Sequence, residues 1–225
     1  FYHKLVNIQK IKGFKGNEYT AFGTAIHNVC EKKLLKEQIN DEEFFVSNFS
    51  DSIAALDSDV VVDIGLVDKM VGQGKAILPE IEDALIAYFG PDYEVMSTEE
   101  RLMVPIDEVQ YNFKGFIDAV IKTSDGKYHI VDWKSCSWGW DMKKRTDPMV
   151  TYQLTLYKKY YAIKHNINPD IIETHFALLK RTSKKGRVEI FRVSSGNRKT
   201  NNASNLLMKA IKNISNGKHI KNKLS

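Results

Sequence analysis

The chain has 225 residues, of which 43% are hydrophobic and 27% charged, a composition that excludes disordered, collagen-like and coiled-coil proteins and suffices for one substantial core. Its two cysteines, Cys30 and Cys136, exclude a four-cysteine zinc or iron–sulfur site built by this chain, and no apolar run approaches the length of a membrane span. The net charge of +5 is unevenly divided, since residues 1–140 hold 14 Lys and Arg against 23 Asp and Glu, whereas residues 141–225 hold 19 against 5. Such a basic C-terminal third indicates either a polyanionic partner or a solvated basic surface.

The N-terminal part of the chain, residues 1–95, is predicted to be mainly helical. Apolar residues at helical spacing predict one helix over residues 20–38 and another over residues 78–89, and the Gly-Pro pair that follows stops the second. Residues 44–76 lack a clear period and are predicted to add helix and loops.

Strand patterns begin at Glu99 and give the second part, residues 96–225, an α/β character. Three apolar runs separated by polar turns predict an antiparallel meander, and a helix, two further strands and a closing helix follow. The runs cover residues 99–106, 113–122 and 128–134, the helix 148–165, the two strands 171–181 and 187–193, and the closing helix 197–215. This order predicts a single α/β domain over residues 1–225, with a mixed central sheet flanked by helices and a helical block in front of it.

Two acidic residues and a lysine on the central strands are the candidate catalytic residues. Asp132 and Lys134 share one face of their strand, and the hairpin brings Asp118 of the preceding strand close enough for the two carboxylates to converge. Converging carboxylates need a cation, because their repulsion otherwise raises a pKa, and hard oxygen ligands suit Mg²⁺ or Mn²⁺. A lysine beside such an ion orients a water molecule or holds negative charge on a phosphate. The alternative, a salt-bridged pair on a solvated strand, is weakened by the apolar Ile-Val pair in front of Asp132.

Four short motifs in this chain resemble those of a known nuclease superfamily. Residues 115–118, Gly-Phe-Ile-Asp, and residues 130–135, Ile-Val-Asp-Trp-Lys-Ser, resemble motifs II and III of the PD-(D/E)xK nucleases. Gly-x-x-x-His at residues 23–27 and Gln-x-x-x-Tyr at residues 153–157 are similar to elements of the RecB-type exonuclease branch. The resemblance implies a restriction-endonuclease-like core. Because two cysteines cannot form the four-cysteine iron–sulfur cluster of several members of that branch, the chain resembles the cluster-free mitochondrial and phage nucleases.

The resemblance assigns a role to each residue of the predicted centre. His27, Asp118 and Asp132 would ligate a divalent metal ion, Mg²⁺ or Mn²⁺, with the main-chain carbonyl of Trp133 as a further ligand. Lys134 would be the catalytic lysine. In the implied mechanism, the metal ion polarises a phosphate oxygen and lowers the pKa of a bound water molecule, which Lys134 positions for in-line attack on a phosphodiester.

Further polar side chains are predicted to support this centre. Gln153 and Tyr157, one helical turn apart, would brace the site and touch the nucleic-acid backbone. Glu31, one turn after the histidine, would orient its imidazole or remain solvated. The family also often has a glutamate on the strand before Gly-x-x-Asp. Glu99 and Glu100 both qualify and face opposite ways on a strand, and Glu100 is our prediction.

The residues after the catalytic strand are predicted to contact nucleic acid. Lys143, Lys144 and Arg145 would bind phosphates, with a steep dependence of affinity on salt. Trp138 and Trp140 would either stack on unpaired bases or form a hydrophobic lid over the core. Further basic residues flank the last predicted turn, namely Lys180, Arg181, Lys184, Lys185 and Arg187.

These features predict a divalent-metal-dependent deoxyribonuclease, specifically an exonuclease that acts on single-stranded or frayed DNA ends in replication, recombination or repair. The alternatives are a structure-specific endonuclease, a nucleic-acid-binding or recruitment domain of a larger helicase–nuclease assembly, and a metal-dependent phosphatase for small molecules, which leaves the basic third without a purpose. A helicase or recombination protein is the expected partner, and no membrane is expected. The chain begins at Phe1, as a piece of a longer protein would, and its cysteines favour a reducing compartment: the cytoplasm, including a host's cytoplasm for a phage protein, or the mitochondrion.

Overall fold

The computed structural model describes residues 14–218, which form seven α-helices and five β-strands. The first four helices precede the sheet and are α1 (Glu18–Leu34), α2 (Asp41–Ala54), α3 (Ile64–Ile77) and α4 (Glu80–Phe89). The strands are β1 (Glu94–Pro105), β2 (Asn112–Lys122), β3 (Tyr128–Cys136), β4 (Ile172–Lys180) and β5 (Val188–Val193). The elements between β3 and β4 are α5 (Met142–Thr146), α6 (Pro148–His165) and a short 3₁₀ turn (Pro169–Ile171), and the element after β5 is α7 (Asn197–Ser215).

One mixed sheet forms the centre of the fold. Its strand order is β1-β2-β3-β4-β5, antiparallel throughout except for β3 and β4, which run parallel. A parallel pair needs a crossover connection, which α5 and α6 supply. The predicted α/β class, the antiparallel meander and the N-terminal helices are therefore confirmed. Residues 44–76, for which helix and loops are predicted, lie largely in α2 and α3. None of the helices within residues 14–218 combines the length and the apolar character that crossing a bilayer requires.

Sequence signals at the ends of α1 and α6 fix the two helices that flank the site. Asn17 caps α1: its side chain accepts a hydrogen bond from the Thr20 amide, while the Thr20 hydroxyl accepts one from the Asn17 amide. Asp147 caps α6, Pro148 occupies its first turn, and Asn166 ends it in the left-handed conformation at φ 52°. These caps explain why the predicted bounds of α6 coincide with the observed ones.

Alternation along β3 divides the apolar side chains into two cores, one on each face of the sheet. Val131 and Trp133 face α1 to α4 and pack in the first core, where Trp133 is fully buried. Ile130 faces α6 and packs in the second core with Phe176 of β4 and Tyr160 of α6. Burying a large apolar side chain contributes roughly 1.5–3 kcal/mol, so the central strand holds both helical layers against the sheet.

Candidate active site

The hairpin of β2 and β3 stops pairing just before its acidic residues. Backbone pairing ends at Ala119 and Val131, and Asp118 and Asp132 are the next residues on the two strands. The Trp133 amide donates a hydrogen bond of 2.7 Å to Asp118 Oδ2. A side-chain carboxylate thus accepts from an amide at the point where the strands separate, and this bond holds the Asp118 carboxylate against β3.

His27 reaches the acids from α1. The helix packs its apolar face, including Phe22 and Ile26, into the first core, and His27 retains 28% exposure of its side chain. Its Nδ1 lies 3.9 Å from Asp118 Oδ2, which is too far for a hydrogen bond but lets both atoms bind one ion after a small approach. The structure therefore brings the imidazole and the Asp118 carboxylate together.

Asp132 is a buried carboxylate that pairs with Lys134. Its side chain is 2% exposed, and its Oδ2 accepts no hydrogen bond of acceptable geometry from residues 14–218. Lys134 Nζ lies 2.5 Å from that oxygen, so the contact is an ion pair without the direction of a hydrogen bond. Lys134 compensates part of this buried negative charge, and a bound metal ion would compensate more of it.

Burial shifts the pKa values of the three groups toward their neutral forms. It raises the pKa of Asp118 to about 6, against the opposing effects of the Trp133 amide and Lys134. It also raises the pKa of Asp132 to about 6, with Lys134 opposing the shift and Asp118 adding to it. It lowers the pKa of His27 to about 4. A neutral imidazole and two carboxylates are ligand types that suit a divalent metal ion, which would compensate the buried negative charge. Among the described residues the ligand atoms of His27, Asp118 and Asp132 do not all lie within 4.8 Å of one another, so these side chains would have to move closer to bind one ion.

Helix α6 covers the β2 side of the centre with Gln153 and Tyr157. Gln153 Nε2 donates a hydrogen bond of 2.9 Å to the Tyr157 hydroxyl, and burial raises the pKa of Tyr157. Gln153 is exposed whereas Tyr157 is buried, so a substrate can reach Gln153. Gly115 of β2 permits this packing, because a Cβ there would lie 2.6 Å from Tyr157 Cε1. The motif glycine therefore has a steric role that the sequence analysis did not assign.

Glu99 and Glu100, two acidic residues of β1, do not have the contacts that the sequence predicts. Glu100 accepts hydrogen bonds from Lys164 Nζ at 2.6 Å and His165 Nε2 at 2.8 Å, at the C-terminal end of α6, so its predicted support of the metal ligands is wrong. Besides burial, the charge of Glu99 raises the pKa of Asp118, so Glu99 is the acid of β1 that interacts electrostatically with the centre. Its backbone is left-handed, with φ 48°, which interrupts the alternation of β1 that a sequence pattern assumes.

Glu31 of α1 forms a contact with β1. Its Oε1 accepts a hydrogen bond of 3.2 Å from Thr98 Oγ1, which ties the helix to the edge strand of the sheet. Its negative charge also raises the pKa of Glu99. Among the described residues no hydrogen bond supports the predicted orientation of the imidazole by Glu31, and the side chain holds α1 against β1.

The two tryptophans after β3 have different surroundings. Trp138 is 71% exposed. Trp140 packs in the second core, with its ring centroid 5.0 Å from that of Phe176, and Lys144 Nζ lies 4.5 Å from the centre of its ring. Trp140 thus forms a lid over the core, and Trp138 presents an open ring. A cavity of about 400 Å³ adjoins them, lined by residues 136–141 and Lys144.

Several of the basic residues predicted to bind phosphates are engaged within the protein. Arg145 pairs with Glu189 at 2.5 Å and donates a hydrogen bond of 2.7 Å to the Trp140 carbonyl, so its guanidinium stabilises this segment. The basic residues around the last turn that are similarly engaged are Lys180, Arg181 and Arg187. The exposed lysines of the two groups are Lys143, Lys144, Lys184 and Lys185. These lysines remain the predicted phosphate contacts.

Solved structures share the fold of this chain. One is the crystal structure of a "putative exonuclease" from Eubacterium rectale, with a TM-score of 0.60 and 12% identity over 100% of this chain and 78% of that chain. Identity this low shows the fold alone. A structure of SSO0001 has a TM-score of 0.39 and 14% identity over 93% of this chain and 82% of that chain, and this TM-score is too low to support an argument. No curated protein sequence matches significantly.

The family comparison extends well beyond the short motifs. The family model described as the PD-(D/E)XK nuclease superfamily matches residues 1–223. That range contains both strands that separate at the two acids, and it also contains the helices that carry His27 and Gln153. Members of this superfamily are nucleases that act on nucleic acids and use divalent metal ions. Because the match spans nearly the whole sequence, the chain belongs to the PD-(D/E)XK nuclease superfamily.

Proposed function

We propose that this nuclease is a divalent-metal-dependent deoxyribonuclease that digests single-stranded or frayed DNA from a free end. The observation that carries the metal dependence is the buried carboxylate of Asp132, which pairs with Lys134 and interacts electrostatically with both Asp118 and His27. Mg²⁺ and Mn²⁺ accept such carboxylate-rich ligand sets and complete them with water.

Three side chains and one carbonyl would hold the ion. The side chains are those of His27, Asp118 and Asp132, and the carbonyl is that of Trp133. A bound divalent ion supplies Lewis acidity toward a phosphate oxygen and lowers the pKa of a coordinated water molecule. The Trp133 amide already fixes Asp118 Oδ2 at 2.7 Å, so this carboxylate is oriented before any ligand arrives.

Lys134 is the side chain that would act on the scissile phosphate. Its ammonium group is partly exposed and also contacts the buried Asp132 oxygen, so it lies at the boundary between the centre and the solvent. An ammonium has three N–H donors, which can hold the attacking water in line and stabilise negative charge on the phosphate oxygens. Removing one positioned donor of this kind typically lowers kcat by about 10²–10³.

The exposed ring of Trp138 supports a preference for unpaired bases. It lies four residues after Lys134, which is at most about 14 Å along the chain. The neighbouring cavity and the exposed Lys143 and Lys144 provide space for a base and contacts for the phosphates on either side. Stacking contributes about 1–3 kcal/mol per base, and a paired duplex does not offer its base faces for it.

DNA substrates with and without ends test the proposal. Linear single strands labelled at either end, single-stranded circles and blunt duplexes are incubated with Mg²⁺ or Mn²⁺. We expect progressive shortening of the linear strands, slower digestion of the duplex and intact circles. Rapid cutting of the circles would contradict the exonuclease assignment, and undiminished activity in EDTA would contradict the metal dependence.

Two lysine substitutions provide the matched comparison for this assay. Lys134→Ala should lower the rate by at least about 100-fold, because it removes the positioned ammonium. Lys209→Ala removes an exposed lysine of α7 and should leave the rate unchanged. Equal rates for the two variants would remove Lys134 from the mechanism.

A further inference from the structure

Two histidines and a glutamate meet on β3 and β4, away from the candidate active site. In the parallel register, His129 pairs with Glu173 and Val131 pairs with His175, so these side chains lie on the face of the sheet that α4 covers. The ligand atoms of His129, Glu173 and His175 all lie within 4.8 Å of one another. Because His129 precedes Asp132 by three residues, the cluster lies roughly 10 Å along β3 from the acids.

The distances within this cluster approach those of a metal site. His129 Nδ1 lies 3.0 Å from His175 Nε2, and Glu173 Oε2 lies 4.0 Å from each of these nitrogens. Ligand atoms around a tetrahedral zinc ion lie about 3.3 Å apart, given Zn–N and Zn–O bonds of about 2.0–2.1 Å. Side-chain shifts of less than about 1 Å would therefore bring all three atoms to that spacing.

Hydrogen bonds outside the cluster direct a lone pair of His129 into it. The Thr123 hydroxyl has a single proton, which it donates to the Asp125 carboxylate at 2.5 Å. Thr123 Oγ1 therefore accepts from His129 Nε2, which lies 2.9 Å away. A proton on Nε2 leaves Nδ1 with a lone pair, and Nδ1 is the atom that faces His175 and Glu173.

His175 also has a hydroxyl partner on its outer nitrogen. The Tyr88 hydroxyl lies 3.2 Å from His175 Nδ1. Without a metal ion, His175 donates from Nε2 to His129 and accepts from Tyr88 at Nδ1. With a metal ion, the ring proton moves to Nδ1, where Tyr88 accepts it, and Nε2 becomes a ligand without any change in the charge of the ring. Outer partners of this kind fix the tautomer and orientation of histidine ligands.

The ligand atoms of the cluster favour a transition metal over Mg²⁺. Glu173 Oε1 already pairs with Arg192 Nη2 at 3.4 Å and Lys127 Nζ at 3.7 Å, so Oε2, which faces the two histidines, is the oxygen that would bind an ion. Imidazole nitrogens suit zinc and its neighbours in the transition series.

We propose that His129, Glu173 and His175 bind a zinc-class divalent transition metal, with water as the fourth ligand. Solvent reaches the cluster, because Tyr88 is 40% exposed and the Glu173 side chain 16% exposed. The ion links β3 to β4 next to α4 and stabilises the strand that carries Asp132. The site is separate from the nuclease centre and does not rest on the proposed DNA substrate.

Metal binding to the full chain tests this site. The starting protein is the His27→Ala/Asp132→Asn double variant, in which two of the three candidate side-chain ligands of the nuclease centre are removed, after metal has been stripped with EDTA. Titration with Zn²⁺ alone, followed by calorimetry, should give one equivalent bound and a Zn²⁺-dependent rise in Tm. Co²⁺ at the same site should give the intense visible absorption of tetrahedral coordination. Absence of Zn²⁺ binding would overturn the proposal.

Three further substitutions in this double variant locate the ion. Glu173→Gln keeps the shape of the side chain and removes its charge, so Zn²⁺ affinity should fall by more than about tenfold. Tyr88→Phe removes the outer hydroxyl at a partly exposed position and should lower affinity by roughly tenfold. His165→Gln changes a histidine that pairs with Glu100 outside the cluster, and it should leave affinity unchanged. Unchanged affinity in both Glu173→Gln and Tyr88→Phe would show that the cluster is a hydrogen-bonded network only.

Discussion

The main-chain amide of Trp133 donates a hydrogen bond of 2.7 Å to Asp118 Oδ2 at the point where β2 and β3 separate. The indole of Trp133 is buried in the first core, so the peptide that holds the carboxylate is itself fixed by packing. A core residue of β3 therefore sets the position of a predicted metal ligand on the neighbouring strand, β2. Because the acceptor is a carboxylate in a buried setting, its charge state affects both the stability and the chemistry of the protein.

Asp118→Asn should stabilise the metal-free protein at neutral pH. Burial raises the pKa of Asp118 to about 6, above the value near 3.9 of the unfolded chain, so its ionisation weakens the folded state as the pH rises from about 4 to 6. An asparagine oxygen can still accept from the Trp133 amide and carries no charge. The free energy of unfolding of the wild type should fall by about 1–2 kcal/mol relative to the variant across this range, as measured by urea unfolding in EDTA. A difference that does not vary with pH would contradict the raised pKa.

Mg²⁺ or Mn²⁺ binding at the candidate active site should weaken on acidification. Asp118 and Asp132 must be ionised to ligate a metal, and burial raises the pKa of each to about 6. The half-saturating Mg²⁺ concentration for DNA cleavage should therefore rise as the pH falls below about 6 and change little above pH 7. Burial lowers the pKa of His27 to about 4, so this ligand stays neutral and adds no pH dependence in that range. Cleavage rates over a Mg²⁺ series between pH 5.5 and 8 provide the measurement, and a half-saturating concentration independent of pH would refute the expectation.

Most of the fold follows from patterns that are local in the sequence. The adjacent apolar residues Ile130 and Val131 in front of Asp132 predict a buried strand that carries an acid beside a lysine, and the structure has this arrangement. Pro148 and Asn166 mark the ends of α6 with residue types that suit those positions. The residues of the candidate site can also be proposed from the sequence, because their motifs lie on adjacent strands and on two helices. The spacing of apolar residues along those helices indicates which side faces the sheet.

The parts that sequence reasoning missed depend on contacts between distant residues. β1 begins at Glu94, five residues before the predicted strand. Residues 94–98 neither alternate between polar and apolar nor form an apolar run, so the sequence there does not indicate a strand. The left-handed backbone of Glu99 interrupts the alternation of β1, and Glu100 pairs with Lys164 and His165 at the end of α6. The pairing of His129 with His175 joins residues 46 positions apart through the register of a parallel strand pair, which local patterns do not reveal.

Gly115→Ala should destabilise the protein through a steric clash with α6. The added Cβ would lie 2.6 Å from Tyr157 Cε1, and this buried ring has little room to move. Overpacking of this kind costs about 1–3 kcal/mol of unfolding free energy, which urea denaturation would measure. Gly72→Ala in α3 is the matched control, because its Cβ meets nothing within 4 Å and helix propensity predicts a gain of about 0.5–1 kcal/mol. Equal stability of the two variants would show that the Tyr157 ring does not require a glycine.

Trp138→Ala should weaken the binding of single-stranded DNA and leave the fold intact. The ring is exposed, so its removal costs little stability, and the loss of stacking should weaken affinity by about 1–3 kcal/mol per stacked base. Fluorescence anisotropy of a labelled oligonucleotide in a Lys134→Ala background, in which digestion is at least about 100-fold slower, gives the affinities. Trp140→Ala is the comparison: its ring packs on Phe176, so this variant should lose about 3–5 kcal/mol of unfolding free energy. If Trp138→Ala binds the oligonucleotide as tightly as its parent, the exposed ring takes no part in holding DNA.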